Sequence, residues 1–263
     1  MADVELETSL NHVEKQRRLH FEWVIPLFLR PRRSLKTIVT RENAVWQTPL
    51  LILSVLAIVL VLVGGPLRAV EAQQVGELPP DFQYWTPEQQ EEYMSSQANR
   101  ANPIFIYLFP ALGSLIGIWL SWLLLGSFLH LALTLSGSRG SNTQALNLAG
   151  WASLPFALRY IVQAIAILTN NSLITAPGLS GFVAADAEGL AVYLRFLLTF
   201  IDIYLIWQVA LLMTGSLPLT GLPRRKAWPA VILSVVLLLL LQAVPGYVGQ
   251  LLSGLDISGG IYF

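Results

Sequence analysis

Four polar side chains lie inside long apolar stretches of the sequence, where they could do chemistry within a membrane: Arg159, Gln163, Arg195 and Asp202. An arginine near the middle of a membrane span costs at least about 2.5–3.5 kcal/mol, so it is expected to face protein or water and to have a partner. Arg159 and Gln163 are one helical turn apart, which places them on one face of a helix. Such charges indicate either an ion or substrate pathway or a structural ion pair.

The depths of these side chains predict which of them pair. If 145–168 and 190–214 are antiparallel spans, Arg159 lies roughly 13 Å and Asp202 roughly 18 Å from the same membrane face. Arg195 lies roughly 7 Å from that face, which is shallow enough for its charge to reach the surface. We therefore expect an intramembrane pair between Arg159 and Asp202. A structural role is favoured, because one pair among five spans is little for a proton or ion pathway.

Other chemistry finds little support in the composition. The chain contains no cysteine and three histidines, which argues against a thiolate site and a histidine-rich metal centre. The acidic residues between 68 and 102 form no defined cluster. No HExxH, GxSxG or GxGD pattern occurs, and a single central aspartate does not make an aspartyl dyad. We expect no enzymatic activity, no cofactor and no bound metal.

The elements that hold the polar set are membrane helices. Of the 263 residues, 54% are hydrophobic and 12% are charged, against about 25% charged in soluble domains. A span of about 20 apolar residues crosses a bilayer core. The sequence predicts an all-α polytopic protein with five transmembrane helices at about 48–67, 111–135, 145–168, 190–214 and 227–252.

The segments between the spans are polar. The acidic loop 68–102 contains Thr86, Pro87 and Gln89 in the order of a helix start, so a surface helix over about 87–98 is expected. Pro110 is expected to divide a short preceding helix from the second span. The chain ends in an apolar, glycine-rich tail, 253–263.

The basic residues predict the orientation. Twelve Lys and Arg lie in the N-terminal segment 1–47 and in the loops after spans two and four, whereas the other side has Arg68 and Arg100. The positive-inside rule then places the N-terminus in the cytoplasm, and the acidic loop and the C-terminal tail outside.

The N-terminal segment alternates apolar and basic residues from Leu19 to Arg41. This pattern is typical of an amphipathic helix at a membrane surface, and its cations would attract anionic lipid. The alternative is a helix packed on the protein's own loops; the interfacial position is favoured. The candidate membrane-surface contacts are Trp23, Phe28, Arg30, Arg32, Arg33 and Lys36.

A second candidate contact surface consists of small residues in span two. Gly113 and Gly117 form a GxxxG pair, and Ser121 follows on the same face. Small residues at this spacing allow two helices to approach closely.

Short motifs resemble a known family. Leu27–Arg32 precedes Trp46 and the first span, residues 151–155 (WASLP) lie in the third, and residues 225–227 (RKA) open the fifth. Over about residues 20–250 the chain resembles a prokaryotic member of the Yip family of five-span membrane proteins, named for interaction with Ypt/Rab GTPases. The resemblance implies a cytoplasmic N-terminus and five spans, and it supplies no catalytic residue.

Eukaryotic members are implicated in ER–Golgi membrane traffic; this chain lacks their long cytoplasmic domain. The resemblance and the short N-terminus favour a bacterial inner membrane.

Two functions are consistent with these features. The favoured one is a non-enzymatic membrane scaffold or accessory subunit, whose partners are the lipid bilayer, including anionic lipid, and other membrane proteins or a second copy; nucleic acid is not expected. The alternative is a transporter or channel component that uses Arg159, Arg195 and Asp202. A water-filled cavity reaching Asp202 would favour the alternative.

Overall fold

The computed structural model describes residues 19–73, 79, 81–100, 102–184 and 186–254. Residues 1–18 and most of the predicted tail, 255–263, lie outside this part of the chain. The described residues form helices and no strand, which confirms the all-α prediction. The α-helices are α1 (Val24–Leu29), α2 (Pro31–Val39), α3 (Gln47–Gln73), α4 (Pro87–Arg100), α5 (Phe109–Leu135), α6 (Asn142–Ala152), α7 (Pro155–Asn170), α8 (Leu190–Thr199), α9 (Ile203–Thr220) and α10 (Arg224–Gly254).

Five helical segments are long and apolar enough to cross a membrane, as the sequence predicts. They are Gln47–Ala72, Ile104–Leu135, Asn142–Asn170, Ile203–Thr220 and Arg224–Leu251. Span one continues through Pro66 to Gln73, beyond the predicted end at 67. Span two begins with a π-helical turn, Ile104–Leu108, and α5 follows with Pro110 in its first turn. The π-helical turn runs directly into α5, with the N–H of Phe109 bonded to the carbonyl of Ile104, so Pro110 does not divide span two as predicted.

Span three is interrupted, and the helix α9, which is long enough by itself to cross a membrane, is preceded by the shorter apolar helix α8. The term span four is used below for α8 and α9 together, so that spans three and four are both interrupted. Span three consists of α6 and α7, which are separated by Ser153 and Leu154, and Pro155 begins α7. The prediction of one continuous fourth helix over 190–214 is wrong, since α8 ends at Thr199 and α9 begins at Ile203. The physical reason is Asp202, which has an extended backbone and caps α9 by accepting a 2.9 Å hydrogen bond from the N–H of Leu205.

The helix start predicted in the acidic loop is confirmed. The Thr86 hydroxyl accepts a hydrogen bond from the N–H of Gln89 at 3.3 Å, and the Gln89 side chain accepts one from the N–H of Thr86 at 3.0 Å. This reciprocal pair is a capping box. Ser141 and Gln144 form a second one at the start of α6.

The N-terminal helices pack against one end of the bundle. Leu35, Ile38 and Val39 of α2 are at most 1% exposed, and α2 contacts α6 and α9. The apolar face of α2 is therefore buried in the protein and not in lipid. For α2, the favoured prediction of an interfacial position is wrong, and the alternative of a helix packed on the protein is correct. Lipid and protein interiors both select apolar side chains, so the amphipathic pattern alone did not distinguish them.

A buried asparagine joins the start of span one to span three. Asn147 is fully buried; its Oδ1 accepts from the N–H of Val45 and its Nδ2 donates to the carbonyl of Asn43, both at 2.9 Å. The indole N–H of Trp151 donates to the carbonyl of Val45 at 3.0 Å. Together these bonds satisfy backbone groups of the non-helical segment between α2 and α3.

Candidate intramembrane binding site

The structure pairs two of the four predicted intramembrane residues. Arg159 Nε lies 3.2 Å from Asp202 Oδ2, and the two side chains are 17% and 14% exposed. This is the ion pair that the depths predict. Gln163 is half-buried and makes no side-chain hydrogen bond among the described residues. Arg195 is half-buried in α8, where its carbonyl accepts a bond from the Thr199 hydroxyl.

The ion pair lies where the two interrupted spans meet. Arg159 is in the second turn of α7, and Asp202 is the N-cap of α9. The carboxylate of Asp202 therefore has two sources of stabilisation, the guanidinium of Arg159 and the N-terminus of an 18-residue helix. Free N–H groups at that end attract negative charge. Asp202 is thus a structural cap as well as a counter-ion.

Arg159 has donors left over after this pairing. A guanidinium has five N–H groups, and among the described residues Asp202 is its sole hydrogen-bonding or ionic partner. Arg159 also lines a cavity, which Asp202 does not. The remaining N–H groups are therefore available to an acceptor in that cavity.

The cavity has a volume of about 730 Å³ and is partly open. Residues from all five spans line it, and most of them are apolar. Ligand sites of roughly 300–1,000 Å³ with apolar walls and a few polar groups are typical of small-molecule binding. The polar residues in the wall are Ser114, Ser121, Ser153, Arg159, Tyr160, Gln208 and Gln242.

Two hydrogen bonds in the cavity wall connect different spans. Gln208 Nε2 donates to Ser153 Oγ at 2.9 Å, which joins α9 to the break in span three. Gln242 Nε2 donates to Ser121 Oγ at 2.7 Å, which joins span five to span two. Sequence reasoning missed both glutamines as site residues; the signal was a polar residue inside an apolar run, the same signal that identified Arg159.

The glycines of the GxxxG pair in span two, Gly113 and Gly117, do not bring two helices of this chain together. A Cβ at Gly113 or Gly117 would meet no atom within 4 Å. Gly117 and Ser121 instead line the cavity. The close approaches occur elsewhere, since a Cβ at Gly126 would overlap Leu146 and a Cβ at Gly215 would overlap Leu148.

The candidate membrane-surface residues divide into two groups. The rings of Trp23 and Phe28 pack on the protein, with centroids 5.6 Å from Trp151 and 5.4 Å from Trp207. The four cations are exposed: Arg30, Arg32, Arg33 and Lys36. The exposed large apolar residues of the N-terminal segment are not among the candidate contacts: Leu19, Phe21, Ile25 and Leu29, at 44–75%.

The described residues contain no group of three His, Cys, Asp or Glu side chains that could hold a metal ion. The polar groups that the cavity wall does offer are a guanidinium, hydroxyls and amides, which bind ligands through hydrogen bonds.

Comparison with protein families gives the identity of the fold. The model of the Yip1 domain matches residues 25–244. The chain belongs to the Yip1 family. Within this Yip1 domain lie both N-terminal helices except Val24, both interrupted spans and the whole cavity wall except Pro245. Comparison with curated proteins and with solved structures finds no match to the chain. This Yip1 family member is accordingly a membrane protein with five apolar spans.

Proposed function

We propose that this Yip1 family protein is a non-enzymatic membrane scaffold or accessory subunit, and that its N-terminal helices bind lipid and partner proteins at the cytoplasmic surface of a cell inner membrane. The observation that carries the proposal is a two-sided N-terminal segment. One side is buried on the bundle through α2. The other exposes Ile25 and Leu29 at 69% and 75%, next to the cations of α2.

The exposed side has the features of an interfacial surface. Phe21, Ile25 and Leu29 follow at four-residue intervals, and all are exposed. Apolar side chains beside cations suit the boundary between headgroups and acyl chains. Each cation near an anionic surface contributes about 1 kcal/mol. The exposed cations of α2 and the adjoining Arg30 therefore favour an anionic leaflet.

Charge supports placing this end in the cytoplasm. Nine of the described cations belong to the end of the bundle that α2 contacts: Arg30, Arg32, Arg33, Lys36, Arg41, Arg139, Arg224, Arg225 and Lys226. Arg68 and Arg100 belong to the other end of the bundle, where span one ends and span two begins. An excess of Lys and Arg marks the cytoplasmic side of membrane proteins.

Co-purification from native membranes in mild detergent tests the proposal. We expect a stoichiometric partner or enriched anionic lipid with the wild type, and its loss with the double variant Ile25→Gln/Leu29→Gln. The matched control is Thr37→Gln/Thr40→Gln, which introduces the same neutral side chains at exposed polar positions of the same segment and should leave the partner or lipid bound. Equal recovery in both variants, or a chain that never carries a partner or lipid, would contradict the proposal.

A second function is favoured by one observation, the interruption of two adjacent spans beside a cavity. Discontinuous helices beside a binding site are typical of secondary transporters. Arg159 lines this cavity, but Asp202, which the cavity of such a pathway was expected to reach, does not. Under this alternative, liposomes containing the protein conduct a solute, and the flux falls in Arg159→Gln/Asp202→Asn. Absence of flux across a panel of ions and small anions would contradict the transporter alternative and leave the scaffold function as the proposal.

A further inference from the structure

We propose that the cavity between the spans binds an acyl-chain amphiphile with an anionic oxygen head, a carboxylate or a phosphate, which accepts hydrogen bonds from Arg159. This inference goes beyond the scaffold proposal, since it concerns a site within the bundle and not its N-terminal surface.

The wall of the cavity suits an acyl chain. Leucines of four helices line it, including Leu50, Leu125, Leu205 and Leu238, together with Phe156 and Phe200. The cavity is partly open and lies at the level of the spans. Because the hydrocarbon core of a membrane is apolar, an apolar space among the spans suits a lipid tail.

The polar groups of the wall suit an anionic head. Arg159 has N–H groups that Asp202 does not use, and a guanidinium binds carboxylate and phosphate oxygens through two parallel hydrogen bonds. Asp202 does not cancel this attraction fully, because the N-terminus of α9 also stabilises its charge. The hydroxyl of Tyr160, in the same wall, has no hydrogen-bond partner among the described residues.

Span two provides a matched pair of positions for the test. Gly113 and Gly117 are one turn apart on α5, and a Cβ at either meets nothing within 4 Å. Gly117 lines the cavity and Gly113 does not. Gly117→Leu therefore fills cavity space, whereas Gly113→Leu makes the same change outside it. Leucine also favours a helix over glycine, so both variants are expected to fold.

The experiment is photo-crosslinking in phosphatidylcholine nanodiscs, with diazirine-labelled acyl chains on oleate, phosphatidylglycerol or phosphatidylcholine as separate probes. Labelled peptides are mapped by mass spectrometry. We expect at least one anionic probe to label residues 114–125 and 238–245 of the wild type and of Gly113→Leu, and Gly117→Leu to lose that label. Labelling by oleate alone indicates a free fatty acid, and labelling by phosphatidylglycerol alone indicates a phospholipid.

The charge requirement is tested by Arg159→Gln/Asp202→Asn, which keeps polar side chains at both positions and an N-cap on α9. Hydrogen bonds to a charged group are stronger than hydrogen bonds between neutral groups. In the double variant, the preference for an anionic over a zwitterionic probe should therefore fall roughly ten- to a hundredfold. Equal labelling by all three probes, equal loss in both leucine variants, or an unchanged preference in the double variant would overturn the proposal. None of these results depends on the N-terminal surface.

Discussion

Arg159 and Asp202 form an ion pair 3.2 Å long at a point where both of their spans are close to an interruption. The pair connects the start of α7 to the N-terminus of α9. Loss of Arg159 removes only the ion pair, whereas loss of Asp202 removes the ion pair and the cap of α9. Substitutions that keep or remove the capping side chain at position 202 separate these two contributions.

Removing one member of the pair should cost more than removing both. Arg159→Ala leaves the Asp202 carboxylate largely buried without its counter-ion, and breaking such a pair costs up to about 3–5 kcal/mol when it is fully buried. Asp202→Asn keeps an N-cap side chain, so it should cost less than Asp202→Ala, which loses about 0.5–2 kcal/mol more from the cap. Thermal unfolding in detergent measures these changes. Losses in Arg159→Ala and Asp202→Asn that add fully in the double variant would show that the pair is not coupled.

Asn147 should hold the segment before span one in place. Asn147→Ala leaves the buried N–H of Val45 and the carbonyl of Asn43 without partners, at a cost of about 1–3 kcal/mol for each unsatisfied group. We expect a lower unfolding temperature and faster tryptic cleavage at the exposed Arg41. Asn142→Ala, at an exposed position of the same helix, should change neither; equal effects of the two variants would contradict this role.

Glycine substitutions should distinguish true close approaches from the GxxxG pattern. Gly126→Ala and Gly215→Ala place a Cβ against Leu146 and Leu148, and such overpacking costs typically about 1–3 kcal/mol. Gly113→Ala has free space and should be neutral or stabilising by up to about 1 kcal/mol. Unfolding in detergent is the measurement. A destabilised Gly113→Ala, with a change in oligomeric state, would instead make that face a contact between chains.

Two isoleucines in the N-terminal segment test where its apolar face lies. Ile38 is fully buried and Ile25 is 69% exposed. Ile38→Ala should cost about 2–5 kcal/mol, whereas Ile25→Ala should stay within about 0.5 kcal/mol of the wild type in detergent. Similar small effects from both would mean that α2 is not packed on the bundle.

The five spans and the ion pair were predictable because each depends on a large free-energy term that is visible in the sequence. A run of about 20 apolar residues has few alternatives to a membrane helix, and the cost of placing Arg159 in it demands a counter-ion. The capping box at Thr86 is similarly local. The spans and the capping box are each encoded within one segment. The ion pair needs only a comparison of the depths of two residues in their spans.

The break in span four and the cavity were not predictable in the same way. Asp202 in an apolar run indicates a buried charge and equally an N-cap, and no glycine or proline adjoins it to favour the cap. The cavity depends on how helices from five spans diverge, which no single segment encodes. The buried face of α2 was weighed against a lipid-facing one, but an apolar stripe does not identify its partner.

The central claim, that the N-terminal helices lie at a membrane surface, is tested most directly by spin labelling. The chain has no cysteine, so Ile25→Cys and the polar control Thr37→Cys each carry one label after reconstitution in anionic vesicles. The account predicts that the label at 25 is accessible to oxygen and shielded from a water-soluble nickel complex, and that the label at 37 shows the reverse. Nickel accessibility that is equally high at both positions, with anionic lipid present, would contradict it.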